Sequence, residues 1–577
     1  MSALASRRLK HLCNSVVAGS KAGARHNVVR SRSASSTVVD EHYDIITIGS
    51  GGGAKVSTPA ANLGFKVAMI EHGFDALGEH LVGLGGTCLT RGCIPSKMLI
   101  HPADVAIEIE EAERFGIKAR YEGIDFPKLV ERVCNAVDGD SKSVQVGYGS
   151  KNPIPDRKHL YTGTAKFVGP KTLRVSGSKT DPSEPTKTIS ADYVFLAAGA
   201  QPAVPPIPGL AGTPYLTSTE ALRLKELPRK MIVIGAGYIA TELGHMYGAL
   251  GTEVHMMARS ELLRLMDIDA RKEFSRVFSE RYNVHTGVKF QQVSFDEATK
   301  QFSLIYDQGS ENGKVMQADA LLIVTGVDPV APLMDTQNAS IELRKQGYVK
   351  VDECLRTTAP AIWSFGDIAG NFLFRHCANF EGEYLLENVI YPIALAKGLL
   401  SPEQKALLPP DVVEKFGRGD WAKDPDALAQ ALQYPPLDYD QGMPWAVFSN
   451  PQVAGIGESE DELIARGLVE GTDYVKGINY YKNSAMGDAR MSDHGFAKIL
   501  VDTRSRRILG CVIVGYEAST MVHQVIPIMR TRGLLDDCLY MIHIHPALNE
   551  IFRNACRKAR DALVASGAKV PLKLRLK

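Results

Sequence analysis

The chain has 577 residues, too many for one hydrophobic core, and at about 150 residues per domain it should hold three or four. Its 45% apolar and 23% charged residues match a globular protein, and no uninterrupted run of roughly 18 apolar residues offers a membrane span. A formal charge of +1 gives no electrostatic footprint for nucleic acid, and nine cysteines are too few for a disulfide-stapled scaffold, a usage that fits a reducing compartment.

Residues 1–39 carry Arg7, Arg8, Lys10, Lys21, Arg25, Arg30 and Arg32 with no acid, interleaved with serine, alanine and valine. That composition reads as a transit peptide, with the mitochondrial matrix as the first destination and a plastid as the second. A disordered basic tail is the alternative.

The apolar run Tyr43 to Ile48 ends in Gly49-Ser50-Gly51-Gly52-Gly53-Ala54, and a helical stretch and the run Phe65 to Ile70 lead on to Glu71. Strand, glycine turn, helix, strand and acid make a dinucleotide fingerprint. Gly49 allows the tight turn, Gly51 lets the backbone approach a pyrophosphate, Ala54 stands where the third glycine packs helix on strand, and Glu71 is placed to grip ribose hydroxyls.

Next comes Gly85-Gly86-Thr87-Cys88-Leu89-Thr90-Arg91-Gly92-Cys93-Ile94-Pro95-Ser96-Lys97. Residues five apart on a helix are separated by about 7.5 Å of rise, whereas a disulfide needs Cα atoms roughly 4.4 to 6.8 Å apart. Cys88 and Cys93 can pair only if the backbone bends between them, and Gly92 with Pro95 makes a deformed first helical turn plausible. Strained or exposed bridges of this kind tend to be the labile, catalytic ones.

A second fingerprint follows at Met231 to Ile234 with Gly235-Ala236-Gly237-Tyr238-Ile239-Ala240, so two dinucleotides are expected. Ala258 occupies the end of its second strand, where NAD users place an acid, and Arg259 and Arg264 follow closely. Arginine there accommodates a 2′-phosphate, which favours NADPH; two solvated surface arginines are the alternative. Gly199 and Gly326 each close an apolar strand, and Ile362 to Gly370 places Asp367 just after another. Residues 397–441, with Pro409-Pro410 and Pro435-Pro436, look inserted, and the favoured reading is a solvated helical decoration. Near the end stands His543-Ile544-His545-Pro546-Ala547-Leu548-Asn549-Glu550.

The run from Gly85 to Lys97 is similar to the disulfide motif of the class I FAD-dependent pyridine nucleotide-disulfide oxidoreductases, a family that includes dihydrolipoamide dehydrogenase, glutathione reductase and mercuric reductase. That resemblance implies an α/β fold with two Rossmann-like dinucleotide-binding domains, as in glutathione reductase, and an α+β C-terminal dimerisation domain. The corresponding segments are 40–205 and 328–396 for FAD, 206–327 for NAD(P), and 442–577 for dimerisation. It implies FAD on the first fingerprint and NAD or NADP on the second. By the same resemblance Asp367 bonds the ribityl chain, Tyr238 gates the nicotinamide pocket, and Lys97 and Glu242 form a buried pair beside the flavin. His545 resembles the general base, oriented by Glu550, and in the family it reaches the disulfide of the other subunit, so a homodimer follows.

Two departures are milder than that at Ala258: Ala197-Ala198-Gly199 replaces the family's Ala-Thr-Gly, and Gly326-Val327-Asp328-Pro329 lacks the arginine usual after the glycine. The first functional expectation is a dihydrolipoamide dehydrogenase-like enzyme, acting on a small or protein-bound dithiol and associated with a 2-oxo acid dehydrogenase complex. The second is an NADPH-dependent reductase of a low-molecular-weight disulfide or mercuric ion, although the C-terminal cysteine pair usual in mercuric reductase is absent. The third is a non-catalytic assembly subunit of such a complex.

Overall fold

The computed structural model describes residues 38–148, 157–177, 185–439 and 442–571. The transit-peptide reading therefore lies outside the described residues except at Val38 and Val39, as does most of the basic tail 569–577. Two compact units are present among the described residues: 38–90, 136–148, 157–177, 185–201 and 327–437 in one, and 91–135, 202–326, 438–439 and 442–571 in the other.

The first unit is built on a seven-stranded sheet. The apolar run at the first fingerprint forms the strand Glu41–Ile48, which pairs in parallel with Val67–Glu71 on one side and Lys187–Leu196 on the other. Helix Ala54–Leu63 makes the crossover between the first two, as a parallel pair requires. Strand Ile362–Ser364 also runs parallel to Lys187–Leu196, so the turn carrying Asp367 leaves the carboxyl end of a parallel strand, where open α/β sheets bind their ligands. Strands Thr172–Ser176 and Thr164–Gly169 extend the sheet antiparallel.

Of the stretch 397–441, residues 397–437 belong to this unit, and they are helical at Pro402–Lys405, Pro410–Phe416 and Pro425–Ala431. They are more than a solvated decoration. Trp363 Nε1 donates to Tyr434 Oη at 3.0 Å, Tyr434 Oη donates to the Cys354 carbonyl at 3.2 Å, and Tyr384 Oη donates to the Pro435 carbonyl at 2.6 Å. Lys171 pairs with Asp426 at 2.7 Å.

The second unit contains a four-stranded parallel sheet in the order Asn283–His285, Glu253–Met257, Lys230–Ile234, Ala320–Ile323, a three-stranded antiparallel sheet over 288–318, and a five-stranded antiparallel sheet. The last is formed by Trp445–Val447, Val453–Gly457, Ile508–Val514, Phe496–Asp502 and Tyr474–Tyr480, and helix Asn549–Ala565 packs its apolar side on the core there. Residues 91–135, which motif order places in the flavin segment, pack here instead. The reason is apolar: helix Cys93–Glu110 buries Leu99, Ile100, Ala103 and Ile107 in one core with Leu243, Met246 and Tyr247 of helix Tyr238–Ala249.

A buried ion cluster fastens the nicotinamide segment to the C-terminal sheet. Lys498 is 0% exposed and donates to both carboxylate oxygens of Asp267 at 3.0 Å, to Asp269 at 2.6 Å and to Glu460 at 2.5 Å. Asp267 also caps helix Ile268–Arg281 and accepts the Glu460 N–H at 3.0 Å. Burial alone would raise the Glu460 carboxyl, but Lys498 and Lys476 outweigh it and hold the group below its ordinary 4.5. A carboxyl lowered in the fold stabilises above its unfolded value and loses that contribution as pH falls. Replacing Lys498→Met removes the shared cation of the two buried carboxylates Asp267 and Glu460 and should cost about 3–5 kcal/mol. The variant should show a lower urea midpoint and Tm at neutral pH, with the gap to the parent closing below about pH 4.5 as Glu460 protonates in both.

Candidate active site

In the first unit the glycine turn is dictated by close backbone approach. Gly49 has φ +96°, and a Cβ there would lie 2.3 Å from the Ala197 carbonyl oxygen. Gly53 is equally tight, since a Cβ there would lie 2.2 Å from the Gly49 carbonyl oxygen; Ala54, at the third glycine position of the motif, opens the helix and is half-buried. No spacing rule marks Gly53, because the constraint comes from the turn folding back on itself.

Glu71 sits at the end of its strand as expected, 9% exposed. Its Oε2 accepts from Ser50 N at 2.9 Å and Ser50 Oγ at 2.5 Å, and its Oε1 accepts from Gly73 N at 3.0 Å. Ser50 Oγ in turn accepts the Gly85 N–H at 2.9 Å. Gly86 has φ +71°, and a Cβ there would lie 2.7 Å from Gly51 Cα, so the loop leading to Cys88 rests directly on the fingerprint turn.

Asp367 lies in the turn Gly366–Ile368, and Gly366 N–H is held by Glu381 Oε2 at 2.6 Å. Burial, with the negative Glu381 nearby, pushes the Asp367 carboxyl up to about 6, against the opposite pull of Arg375. Gly199 takes φ +78° after its strand. A glycine cradle that admits no Cβ, a strand-end glutamate and a turn aspartate are the features that a flavin dinucleotide needs, so the residues fit FAD.

Cys88 is half-buried in the short helix Gly86–Thr90, and Cys93 is exposed as the first residue of helix Cys93–Glu110. Helical structure breaks at Arg91 and Gly92, the latter at φ −147°, ψ −110°, so the chain bends between the cysteines as the spacing demanded. The start of a long helix favours a thiolate through its N–H dipoles.

In the second unit Gly235 has φ +156°, and a Cβ there would lie 2.4 Å from the Val324 carbonyl oxygen; Gly237 caps helix Tyr238–Ala249, Ala240 is buried and Tyr238 is half-buried. The structure brings Lys97 and Glu242 together: Lys97 Nζ donates to Glu242 Oε2 at 2.7 Å, and Glu242 is 5% exposed. Sequence reasoning missed the third partner, since Glu242 Oε1 also accepts the Phe448 N–H at 2.9 Å while Lys97 lies 4.4 Å over the Phe448 ring. Farther along the same helix pair, the wholly buried His245 joins Asp104 Oδ1 at 2.8 Å and Tyr282 Oη at 3.0 Å, which no local motif announced. Ala258 is buried at the end of strand Glu253–Met257, and Arg259 and Arg264 beyond it are exposed. Gly326, at φ +126°, accepts the Ala203 N–H at 3.0 Å. This glycine turn fits a nicotinamide dinucleotide.

His545 and Glu550 meet near the C-terminus. Nδ1 of His545 lies 2.9 Å from Glu550 Oε2, and Arg553 holds the other oxygen at 2.6 Å. Burial alone would raise the Glu550 carboxyl, but His545, the Ala547 N–H and Arg553 together hold it below the usual range. An anionic Glu550 accepts a hydrogen bond from Nδ1–H, which leaves Nε2 as the basic nitrogen. The His545 side chain is 71% exposed, and Ile542 and Ile544 just before it also project outward.

Residues 43–382, more than half of the chain, match the family model described as pyridine nucleotide-disulphide oxidoreductase, and residues 443–556 match its dimerisation domain. Mycothione reductase of Mycobacterium tuberculosis is 30% identical over 520 residues, covering 89% of this chain and 99% of that one. Dihydrolipoyl dehydrogenase 1, mitochondrial, of Arabidopsis thaliana is 27% identical, covering 97% of this chain and 99% of its own length. Mercuric reductase of Staphylococcus aureus is 28% identical, covering 84% and 76%. The HOCl-induced flavoprotein disulfide reductase RclA of Escherichia coli shares the fold at a TM-score of 0.68 with 23% identity, covering 89% of this chain and 99% of that one. Among the described residues no helix is long and apolar enough to cross a membrane. Fold, paired fingerprints and family match agree: the chain belongs to the pyridine nucleotide-disulphide oxidoreductases, enzymes that use FAD and NAD(P)H.

Proposed function

We propose that this protein is an NADPH-driven reductase of a low-molecular-weight disulfide, working as a homodimer in an organelle, the mitochondrial matrix first and a plastid second. The observation that carries the cofactor choice is the buried Ala258 where NAD users keep an acid, followed by the exposed Arg259. The relative named mycothione reductase supports the reductive direction, and the arginine-rich, acid-free leader supports the organelle.

Bound FAD supplies the two-electron relay between nicotinamide and the cysteine pair. The chain does the sulfur chemistry. With the pair reduced, the Cys88 thiolate attacks one sulfur of the substrate disulfide, breaking that S–S bond, and the departing thiolate takes a proton from protonated His545. Cys93 thiolate then attacks the Cys88 sulfur, the second substrate sulfur leaves as a thiolate that takes a proton from solvent, and the Cys88–Cys93 bridge re-forms. One disulfide becomes two thiols for each NADPH and one proton consumed. With FAD bound, the Lys97 ammonium, 34% exposed and paired with the buried Glu242 carboxylate, would favour negative charge on a reduced ring.

Dihydrolipoamide oxidation, with attachment to a 2-oxo acid dehydrogenase complex, is the second reading, favoured by full-length similarity to the mitochondrial dihydrolipoyl dehydrogenase of Arabidopsis. Steady-state turnover of residues 40–577 with glutathione disulfide, Hg2+ and dihydrolipoamide, each against NAD and NADP, separates the two. A kcat/KM highest for dihydrolipoamide with NAD sinks the reductase assignment. No turnover with FAD bound favours the non-catalytic assembly subunit.

Replacing Arg259→Gln together with Arg264→Gln should raise KM for NADPH about tenfold or more while leaving KM for NADH nearly unchanged, as expected when a charge-assisted phosphate contact is lost. Replacing Glu550→Gln should lower kcat about tenfold or more and move the pH profile without disturbing FAD content, because the imidazole loses its orienting anion.

A further inference from the structure

The structure assigns Arg375 as a counter-ion for the FAD pyrophosphate, an arginine that reinforces the glycine turn from the far end of the flavin-binding segment. A methyl group built on Gly51 would meet Arg375 Nη1 at 3.4 Å, and the same nitrogen lies 3.5 Å from the Gly85 carbonyl oxygen, the long limit of a hydrogen bond. Gly51 is the position at which this fingerprint lets a pyrophosphate reach the backbone. The guanidinium therefore stands beside the glycine that admits the phosphates and beside the loop that leads to Cys88.

Local electrostatics give this cation a task. Glu71 accepts from the Ser50 N–H of the turn and Asp367 lies within reach of the Arg375 charge, so both add negative charge around the place a dianionic pyrophosphate must sit. Lys55, the nearest basic residue along the chain, is held by Glu383 at 2.8 Å. Arg375 is also the first residue of helix Arg375–Leu385, where the backbone dipole already presents positive charge and a cation is locally unfavourable. An arginine at that point is stabilised when an anion lies between it and the helix end. Its planar fork suits two phosphate oxygens better than a lysine would.

The test uses the full chain with FAD bound. Flavin release, followed by the rise in free-flavin fluorescence, should be at least about tenfold faster in Arg375→Met than in the parent and intermediate in Arg375→Lys; tenfold corresponds to roughly 1.4 kcal/mol. In flavin-stripped protein, ADP should slow FAD reloading less in the Met variant, while adenosine competes equally in both. Unchanged release, or equal loss of ADP and adenosine binding, overturns the assignment; the latter marks a collapsed turn. Should the Met variant not accumulate, Arg375→Gln and the salt dependence of the parent decide: release that does not accelerate with added chloride overturns it as well.

Discussion

A single serine hydroxyl organises the flavin-binding unit. Ser50 Oγ donates to the strand-end carboxylate of Glu71 at 2.5 Å and accepts the Gly85 N–H at 2.9 Å, so the turn of the dinucleotide fingerprint and the approach to Cys88 share one hydrogen-bonded joint. Both loops are glycine-rich because they touch backbone to backbone: Gly86 needs φ +71° and the Cα of Gly51 leaves no room for a side chain there. The order of the sulfur loop thus depends on the same residues that shape the cofactor turn.

The other unit is held by charge at two places. Glu242 joins Lys97 to the backbone of Phe448, which gathers the helix after the cysteines, the helix after the second glycine turn and the start of the C-terminal domain around one carboxylate. Lys498 does the same for the segment beyond the arginine-bearing strand end. Buried ion pairs add little net stability over apolar packing, yet they tolerate few alternative arrangements, a property suited to fixing helices whose ends carry the chemistry.

Much of this was legible in the sequence, where chemistry constrains neighbours in the chain. The turn glycines Gly49, Gly51, Gly235 and Gly237, the acid Glu71 and the bend at Gly92 are local, and the structure places each where its spacing implied. Lys97 and Glu242 lie 145 residues apart and were named only through the family resemblance. What stayed hidden arises from long-range packing. Gly53 is tight because the turn closes on itself, Phe448 contributes a backbone group, His245 meets Asp104 across a helix seam, and Arg375 arrives from a distant helix. The placement of residues 91–135 was hidden for the same reason, since the apolar face of helix Cys93–Glu110 finds its partner in Tyr238–Ala249 and not in the strands that precede it in the chain.

The stretch 397–441 shows how an added segment becomes obligatory. Trp363 stacks on Phe195 in the parallel sheet with centroids 5.1 Å apart, and its indole N–H is satisfied by the phenol of Tyr434, whose own O–H donates to the Cys354 backbone carbonyl. Excising the stretch would uncover a large aromatic face and orphan a donor in the wall of the flavin unit. A shortened version of this chain would therefore have to re-cut that wall as well, replacing an aromatic stack and a hydrogen-bond acceptor in the same step.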